Sequence, residues 1–188
     1  MRLKIVTVGE PVLRQPSREL SKDQVLSPVI QNLIEYMRET MRDAPGVGLA
    51  APQVGESFRL AVIEDKADYQ KTFTEAELAE RGRTEVPFHV IVNPVIQLLT
   101  DATEVFFEGC LSLPGYTAVV HRAAAVRVQC LDHLGEAKTI EASGWYARIL
   151  QHEIDHLDGT LYIDRMKTRS LSSLENYTRH WKGRPIDS

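Results

Sequence analysis

The chain has 188 residues, of which 43% are hydrophobic, and its formal net charge is −4. This size fits one globular domain over residues 1–188, and the acidic balance disfavours a specific nucleic-acid binder. No apolar run approaches the roughly 20 residues of a membrane span, so no membrane association is expected. The first residues predict a short strand rather than a signal peptide, and the two cysteines fit a reducing compartment. We therefore expect a soluble, unexported protein, which implies the cytoplasm, or an organelle matrix if a presequence has been removed.

The amino-terminal third predicts one helix that faces the core. Ser27 is a good N-cap, and Pro28 falls at the first helical position, where its missing N–H costs nothing. The helix leads into residues 46–53, GVGLAAPQ, where small residues let the backbone approach a ligand or another backbone closely. A tight turn is the alternative interpretation. The apolar stripe of the helix comprises Val29, Ile30, Leu33, Ile34, Met37 and Met41.

Strands dominate the middle of the chain. Between residues 65 and 86 a short polar helix is predicted within a surface insertion. Because strands and helices do not alternate regularly, we predict an α+β fold with mainly antiparallel sheets packed around a central helix. The predicted strands are 58–63, 88–92, 95–99 and 103–107, followed by a hairpin of 125–131 with 138–142.

The central helix is predicted to contain residues 151–157, QHEIDHL. In a helix, His152 and His156 lie one turn apart with Cβ atoms roughly 5–6 Å from each other, so both imidazoles can reach one metal ion. Glu153 projects toward the same side and can reach a water molecule without being a ligand itself. A solvated helix face that carries two histidines by chance is the alternative. Ser143 as N-cap and Gly159 beyond the last turn favour the helix.

Two histidines leave a catalytic metal one protein ligand short. Cys110 is one candidate, since it lies in a Gly-Cys turn that would hold a thiolate on rigid backbone. Glu175 is the rival, 19 positions after His156, near the place where one class of HExxH peptidases has its third ligand. Cys130 alternates with apolar residues on a predicted strand and is expected to be a buried thiol. The residues alone leave both candidates open.

Three stretches together resemble the motifs of peptide deformylases. They are residues 46–53 (GVGLAAPQ), 108–112 (EGCLS) and 151–157 (QHEIDHL), in the family's order and spacing. The resemblance extends over about residues 5–163, and SGWYARI at 143–149 looks like the variant of organellar enzymes and some bacterial relatives. It implies the deformylase fold and hydrolytic removal of the formyl group from formylmethionine of nascent polypeptides. It also implies Cys110, His152 and His156 as ligands of one divalent metal.

The resemblance further implies the metal and the roles of its neighbours. Family members characteristically use Fe²⁺ and also work with Zn²⁺, Ni²⁺ or Co²⁺. Glu153 would take a proton from water and return it to the leaving amine, while the Gln53 amide and the Leu111 backbone N–H would stabilise the charge on the carbonyl oxygen. The residues expected to bind the substrate are Gly46, Val47, Gly48, Phe106, Glu108, Gly109, Trp145, Arg148 and Ile149.

Three expectations concern the surroundings of this site. Arg122 is expected to pair with Asp155 or Glu108 and so to orient the ligand loops. Many bacterial relatives carry an arginine shortly after the Cys motif that grips the substrate backbone, whereas this chain has Gly-Tyr-Thr at 115–117. That contact is therefore either absent here or made by Tyr116. Residues 165–188 form a basic extension with six Lys/Arg against two acidic residues. It is either a solvated tail or a transient ribosome contact.

Overall fold

The computed structural model describes residues 1–186 and contains two antiparallel sheets. Every strand pairing in both sheets is antiparallel, which confirms the predicted α+β class. The five-stranded sheet has the order β1-β2-β3-β6-β7 and the three-stranded sheet β4-β5-β8. The strands are β1 (Gly48–Ala50), β2 (Leu60–Asp65), β3 (Val86–Leu98), β4 (Thr103–Cys110), β5 (Leu113–Ala123), β6 (Ala125–Leu131), β7 (Ala137–Ser143) and β8 (Ser172–Ser173).

Seven α-helices accompany the sheets in the described part of the chain. None of the helices within residues 1–186 is long and apolar enough to cross a bilayer. They are α1 (Lys22–Leu26), α2 (Pro28–Asp43), α3 (Ala67–Gln70), α4 (Glu75–Glu80), α5 (Gly144–Leu157), α6 (Tyr162–Arg165) and α7 (Leu174–His180). Short 3₁₀ turns lie at Pro11–Arg14, Ala51–Val54 and Thr168–Ser170.

Helix α2 begins where the sequence predicts it. The Ser27 hydroxyl accepts a hydrogen bond from the Ile30 backbone N–H, and Pro28 is the first helical residue. The predicted stripe packs with Leu49 and Leu60 against one side of the five-stranded sheet. Val29 is the exception, since it is 72% exposed.

Helix α5 lies between the two sheets and contacts strands of both. Its apolar residues, among them Ile149, Leu150 and Ile154, pack against the side of the five-stranded sheet opposite α2. Gly144 starts the helix with φ of +58°, and a Cβ there would come within 2.8 Å of the Gly82 carbonyl oxygen. Gly159, with φ of +72°, follows the last turn as predicted. Burial on nearly every side holds the two histidines at a fixed position.

Several local predictions are wrong. The predicted strands 88–92 and 95–99 form the single strand β3, which ends at Leu98 and continues through an irregularity between Val92 and Val95. Asn93 has φ of +49° there, and its side chain bonds both backbone groups of Leu20. Residues 1–8 form no strand, although two of their amides donate to backbone oxygens of Gln53 and Ser112.

The carboxy-terminal residues fold back onto the three-stranded sheet. Strand β8 pairs Ser172 and Ser173 with Thr117 and Tyr116 of β5, and α7 follows directly. The predicted basic extension is therefore partly built into the fold rather than a free tail. Its last two residues, 187–188, lie outside the described residues.

Candidate active site

Cys110, His152 and His156 come together where β4 ends against α5. One ligand atom from each lies within 4.8 Å of the others, and this is the one Cys/His/Asp/Glu group with ligand spacing found in residues 1–186. Cys110 Sγ is 3.3 Å from His156 Nε2. The imidazole rings, one helical turn apart, have centroids separated by 4.9 Å. The rival Glu175 lies elsewhere, exposed on α7 and paired with Arg179.

The donor chemistry of this cluster fits a transition-metal ion. Glu108 Oε1 is 2.6 Å from His152 Nδ1, which leaves Nε2 of that ring as the free ligand atom. One sulfur and two imidazole nitrogens suit iron or zinc, and three protein ligands leave a coordination position for water or substrate. The cluster is thus a candidate site for a catalytic metal.

A buried ion network fixes the first of these histidines. The Glu108 carboxylate accepts from the Arg122 guanidinium at 2.6 and 3.2 Å and from Arg148 Nη1 at 2.8 Å. Burial raises the pKa of Glu108, but the hydrogen bond with His152 and the charge of Arg122 outweigh it, so the pKa lies well below its usual range. Arg122 also donates to Asp155, so the expected pairing holds with both acids.

Glu153 is almost fully buried, with 3% of its surface exposed. Burial raises the pKa of its carboxyl to about 7; His152 opposes this shift, and the negative charge of Glu108 adds to it. Its Oε2 has no hydrogen-bond partner among the described residues. The other oxygen lies so close to Gly48 that a Cβ at that position would be 2.2 Å from it. Residue 48 must therefore be glycine for the carboxylate to sit where it does.

Gln53 is 1% exposed and lies in the 3₁₀ turn that follows β1. Its Oε1 accepts from the Ala50 backbone N–H at 2.9 Å, which orients the amide. Nε2 therefore points toward Cys110 Sγ, 3.5 Å away, and the Ser112 hydroxyl, 3.3 Å away. The amide is a fixed donor beside the candidate metal ligands.

A cavity of about 550 Å³ opens beside these groups. Most residues expected to contact a substrate line it. The Glu108 carboxylate is occupied by nitrogens of Arg122, Arg148 and His152. The Arg148 guanidinium donates to that carboxylate and to two backbone oxygens, which leaves the backbone of both residues and the Arg148 stem for contacts with a ligand. The predicted residues that line the cavity are Gly46, Val47, Gly48, Gln53, Glu108, Gly109, Cys110, Leu111, Trp145, Arg148, Ile149, His152 and Glu153.

The prediction that Phe106 contacts the substrate is wrong, because Phe107 lines the cavity and Phe106 does not. The Phe106 ring packs edge-on to Trp145 at 6.2 Å and lies under the Arg148 guanidinium at 5.3 Å. It therefore supports two residues of the wall from behind.

The sequence did not predict two further stretches of the cavity wall. The predicted surface insertion is largely exposed, as expected, but it also contributes Phe73, Arg81 and Arg83 to the cavity. Arg81 lies 5.0 Å above the Trp145 ring, and Arg83 forms a buried pair with Asp65. The carboxy-terminal segment contributes Leu174 and Tyr177. No motif marks these residues, because residues 73–83 contain one aromatic residue, Phe73, and two arginines among mostly polar and small residues.

Comparisons with known proteins agree with this geometry. The model of the polypeptide deformylase family matches residues 2–171. Peptide deformylase 3 of Streptomyces avermitilis is 50% identical over 95% of this chain and 78% of its own length. The chloroplastic peptide deformylase 1A of Solanum lycopersicum is 46% identical over 92% of this chain, which spans 62% of that longer protein.

Solved structures of peptide deformylases have a fold similar to that of this chain. A class I type b peptide deformylase from Acinetobacter baumannii, with Met-Ala-Ser bound, superposes with a TM-score of 0.78 at 32% identity. That likeness covers 88% of this chain and 99% of the other. The fold and the match over residues 2–171 lead to one conclusion: the chain belongs to the polypeptide deformylase family.

Proposed function

We propose that this chain hydrolyses the N-terminal formyl group of formylmethionyl peptides and releases formate. The observation that carries the proposal is the buried Glu153 carboxylate, which lines the same cavity as Cys110, His152 and the oriented Gln53 amide. The Acinetobacter baumannii relative holds Met-Ala-Ser, a peptide that begins with methionine. This supports a methionine-initiated peptide as the ligand here.

Cys110, His152 and His156 would hold one divalent metal ion. Their soft sulfur and two imidazoles support Fe²⁺ as the native ion, with Zn²⁺, Ni²⁺ or Co²⁺ as substitutes. When bound, such an ion polarises a carbonyl oxygen and lowers the pKa of water. The Glu108 carboxylate binds Nδ1 of His152, so Nε2 of that ring would be free to hold the ion.

Glu153 handles the proton in the proposed reaction. Its carboxylate takes a proton from the attacking water as the oxygen bonds to the formyl carbon. It then gives that proton to the amine nitrogen as the carbon–nitrogen bond breaks, so formate and a free amino terminus leave. A pKa of about 7 suits a group that must both accept and donate near neutral pH.

Negative charge grows on the formyl oxygen during the addition of water. We assign its stabilisation to the Gln53 Nε2 amide and the Leu111 backbone N–H. The Ala50 hydrogen bond holds Gln53 in place before substrate binds, so little reorganisation is needed.

The substrate would lie along residues 46–48 and 108–109. Backbone groups of Gly46, Gly48 and Gly109 are close to the cavity and carry no side chain to obstruct a peptide. The methionine side chain would enter the apolar wall formed by Val47, Trp145, Ile149 and the stem of Arg148.

The proposed substrate indicates the compartment in which the protein acts. Formylmethionine starts translation in bacteria and in organelles, and the relatives include Streptomyces and chloroplastic proteins. We propose that the chain acts on nascent peptides in one of these compartments. A transient ribosome contact through the basic residues after 165 stays a prediction.

The direct test is formate release from formyl-Met-Ala-Ser by anaerobically iron-loaded protein, compared with Glu153→Gln. The variant keeps the shape of the side chain but cannot accept a proton, so turnover should fall about 10²- to 10⁴-fold. Metal content should stay near that of the parent protein. Equal turnover by the two proteins would reject the proposal in favour of a non-catalytic metal-binding module.

The alternative enzymatic function is that of a zinc endopeptidase with Glu175 as its third metal ligand. Because Glu175 is exposed and paired with Arg179, we expect Glu175→Ala to retain its metal. Loss of the metal in that variant would favour the endopeptidase.

A further inference from the structure

The carboxy-terminal segment 171–181 forms part of the active-site cavity. The family model ends at residue 171, so nearly all of this segment lies beyond the part of the chain that the family model matches. Leu174 and Tyr177 nevertheless line the cavity that contains Cys110, His152 and Glu153. The segment therefore has a position from which it can act on the substrate.

Two contacts hold the segment against the strands that carry the site. Ser173 pairs with Tyr116 of β5, and its hydroxyl caps α7 by accepting from the Asn176 backbone N–H at 3.2 Å. The Tyr177 ring lies 4.8 Å from the ring of Phe107, which is three residues before Cys110. The segment is thus fixed to the same strand as the candidate sulfur ligand.

The two walls of the cavity differ in chemistry and exposure. The α5 wall carries Ile149, which is buried and suits an enclosed methionine side chain. Leu174 of the carboxy-terminal segment and the neighbouring Tyr116 of β5 also line the cavity but are 49% and 50% exposed. The charged residues of α7, Glu175 and Arg179, pair with each other and do not line it. Half-exposed apolar side chains at a cavity mouth are surfaces that a bound chain can cover.

We propose that Leu174 and Tyr177 form a subsite for the residues that follow formylmethionine and that this subsite favours large apolar side chains. The inference rests on the proposed deformylase function. The proposed methionine site on α5 and the side chains of Leu174 and Tyr177 line the same cavity, so residues that follow the methionine can reach Leu174 and Tyr177. Covering Leu174 and the Tyr177 ring with an apolar side chain removes both surfaces from water, whereas glycine leaves them exposed.

The test compares formyl-Met-Leu-Phe with formyl-Met-Gly-Gly as substrates of the iron-loaded protein. The parent should prefer the first peptide. The Leu174→Ala/Tyr177→Ala variant should lose about ten-fold in kcat/KM for formyl-Met-Leu-Phe, as a higher KM with kcat retained. Its kcat/KM for formyl-Met-Gly-Gly should stay within about two-fold of the parent, because glycine covers neither side chain.

Leu171→Ala is the matched control. Leu171 belongs to the same segment and is 46% exposed, but it does not line the cavity, so both substrates should be unaffected. An equal loss for both peptides in the double variant, or unchanged discrimination, would overturn the subsite. Unchanged discrimination, together with a parent that sediments as a dimer and a double variant that sediments as a monomer, would assign the surface to a second copy instead. A parent that releases no formate from either peptide would overturn the proposed function itself.

Discussion

At the scale of single residues, the site depends on the close approach of the Glu153 carboxylate to the backbone of Gly48. Gly48 leaves no room for a Cβ, since that atom would be 2.2 Å from Glu153 Oε1 and 2.5 Å from Cδ. The sequence indicated that small residues at 46–51 allow something to approach, but it did not show that the neighbour is the carboxylate of α5. That neighbour is 105 positions away, and no local pattern encodes such a contact.

We predict that Gly48→Ala destabilises the protein by about 1–3 kcal/mol, because the added methyl must displace the Glu153 side chain. Urea unfolding of Gly48→Ala, Glu153→Ala and the double variant measures this. Truncation of Glu153 removes the clash, so the double variant should recover much of the loss. Strictly additive free energies of unfolding would show that the two residues do not compete for space.

At the scale of elements, β4, β5 and α5 are joined by one buried network. Arg122 of β5 bridges Glu108 of β4 and Asp155 of α5, and all three residues are less than a tenth exposed. The sequence predicted α5 closely because its spacing and terminal glycine are local signals; Ser143 occupies the N-cap position, although its side chain makes no capping hydrogen bond. It missed most of β5, since residues 113–123 begin in Pro-Gly and lack a clean alternation.

Breaking this network should lower the free energy of unfolding far more than breaking an ion pair on the surface. We expect Arg122→Met to lower the free energy of unfolding by about 3–5 kcal/mol, because it removes the cation that Glu108 and Asp155 share and leaves each carboxylate with one arginine, Arg148 and Arg165 respectively. Arg127→Met is the control, since Arg127 pairs with Glu141 on the exposed face of β6 and should cost about 0–1 kcal/mol. Similar losses in the two variants, measured by urea unfolding, would argue against the network as a support of the site.

At the scale of the whole molecule, five separate stretches of chain build one cavity. Three of them carry motifs with polar or glycine residues in set positions, and the sequence identified these. The other two, around residues 73–83 and 174–177, contribute aromatic, apolar and arginine side chains whose role depends on tertiary packing. The same reason explains why Phe106 was expected in the wall and Phe107 is found there.

That residues 1–188 fold as one domain stays a prediction. It implies that urea unfolds the sheets and the cavity together, because α5 packs against strands of both sheets. Tryptophan fluorescence and far-ultraviolet circular dichroism should then give coincident transitions. Separate midpoints would indicate two units that unfold independently.

The central claim is that one sulfur and two imidazoles hold the metal, and X-ray absorption at the zinc edge of zinc-loaded protein tests it most directly. We predict one sulfur at about 2.3 Å and two nitrogens at about 2.0–2.1 Å. The sulfur should persist in Cys130→Ala, whose thiol is buried in β6 with its pKa raised to about 11, and vanish in Cys110→Ala. A spectrum without sulfur in the parent, or with sulfur retained in Cys110→Ala, would contradict the account.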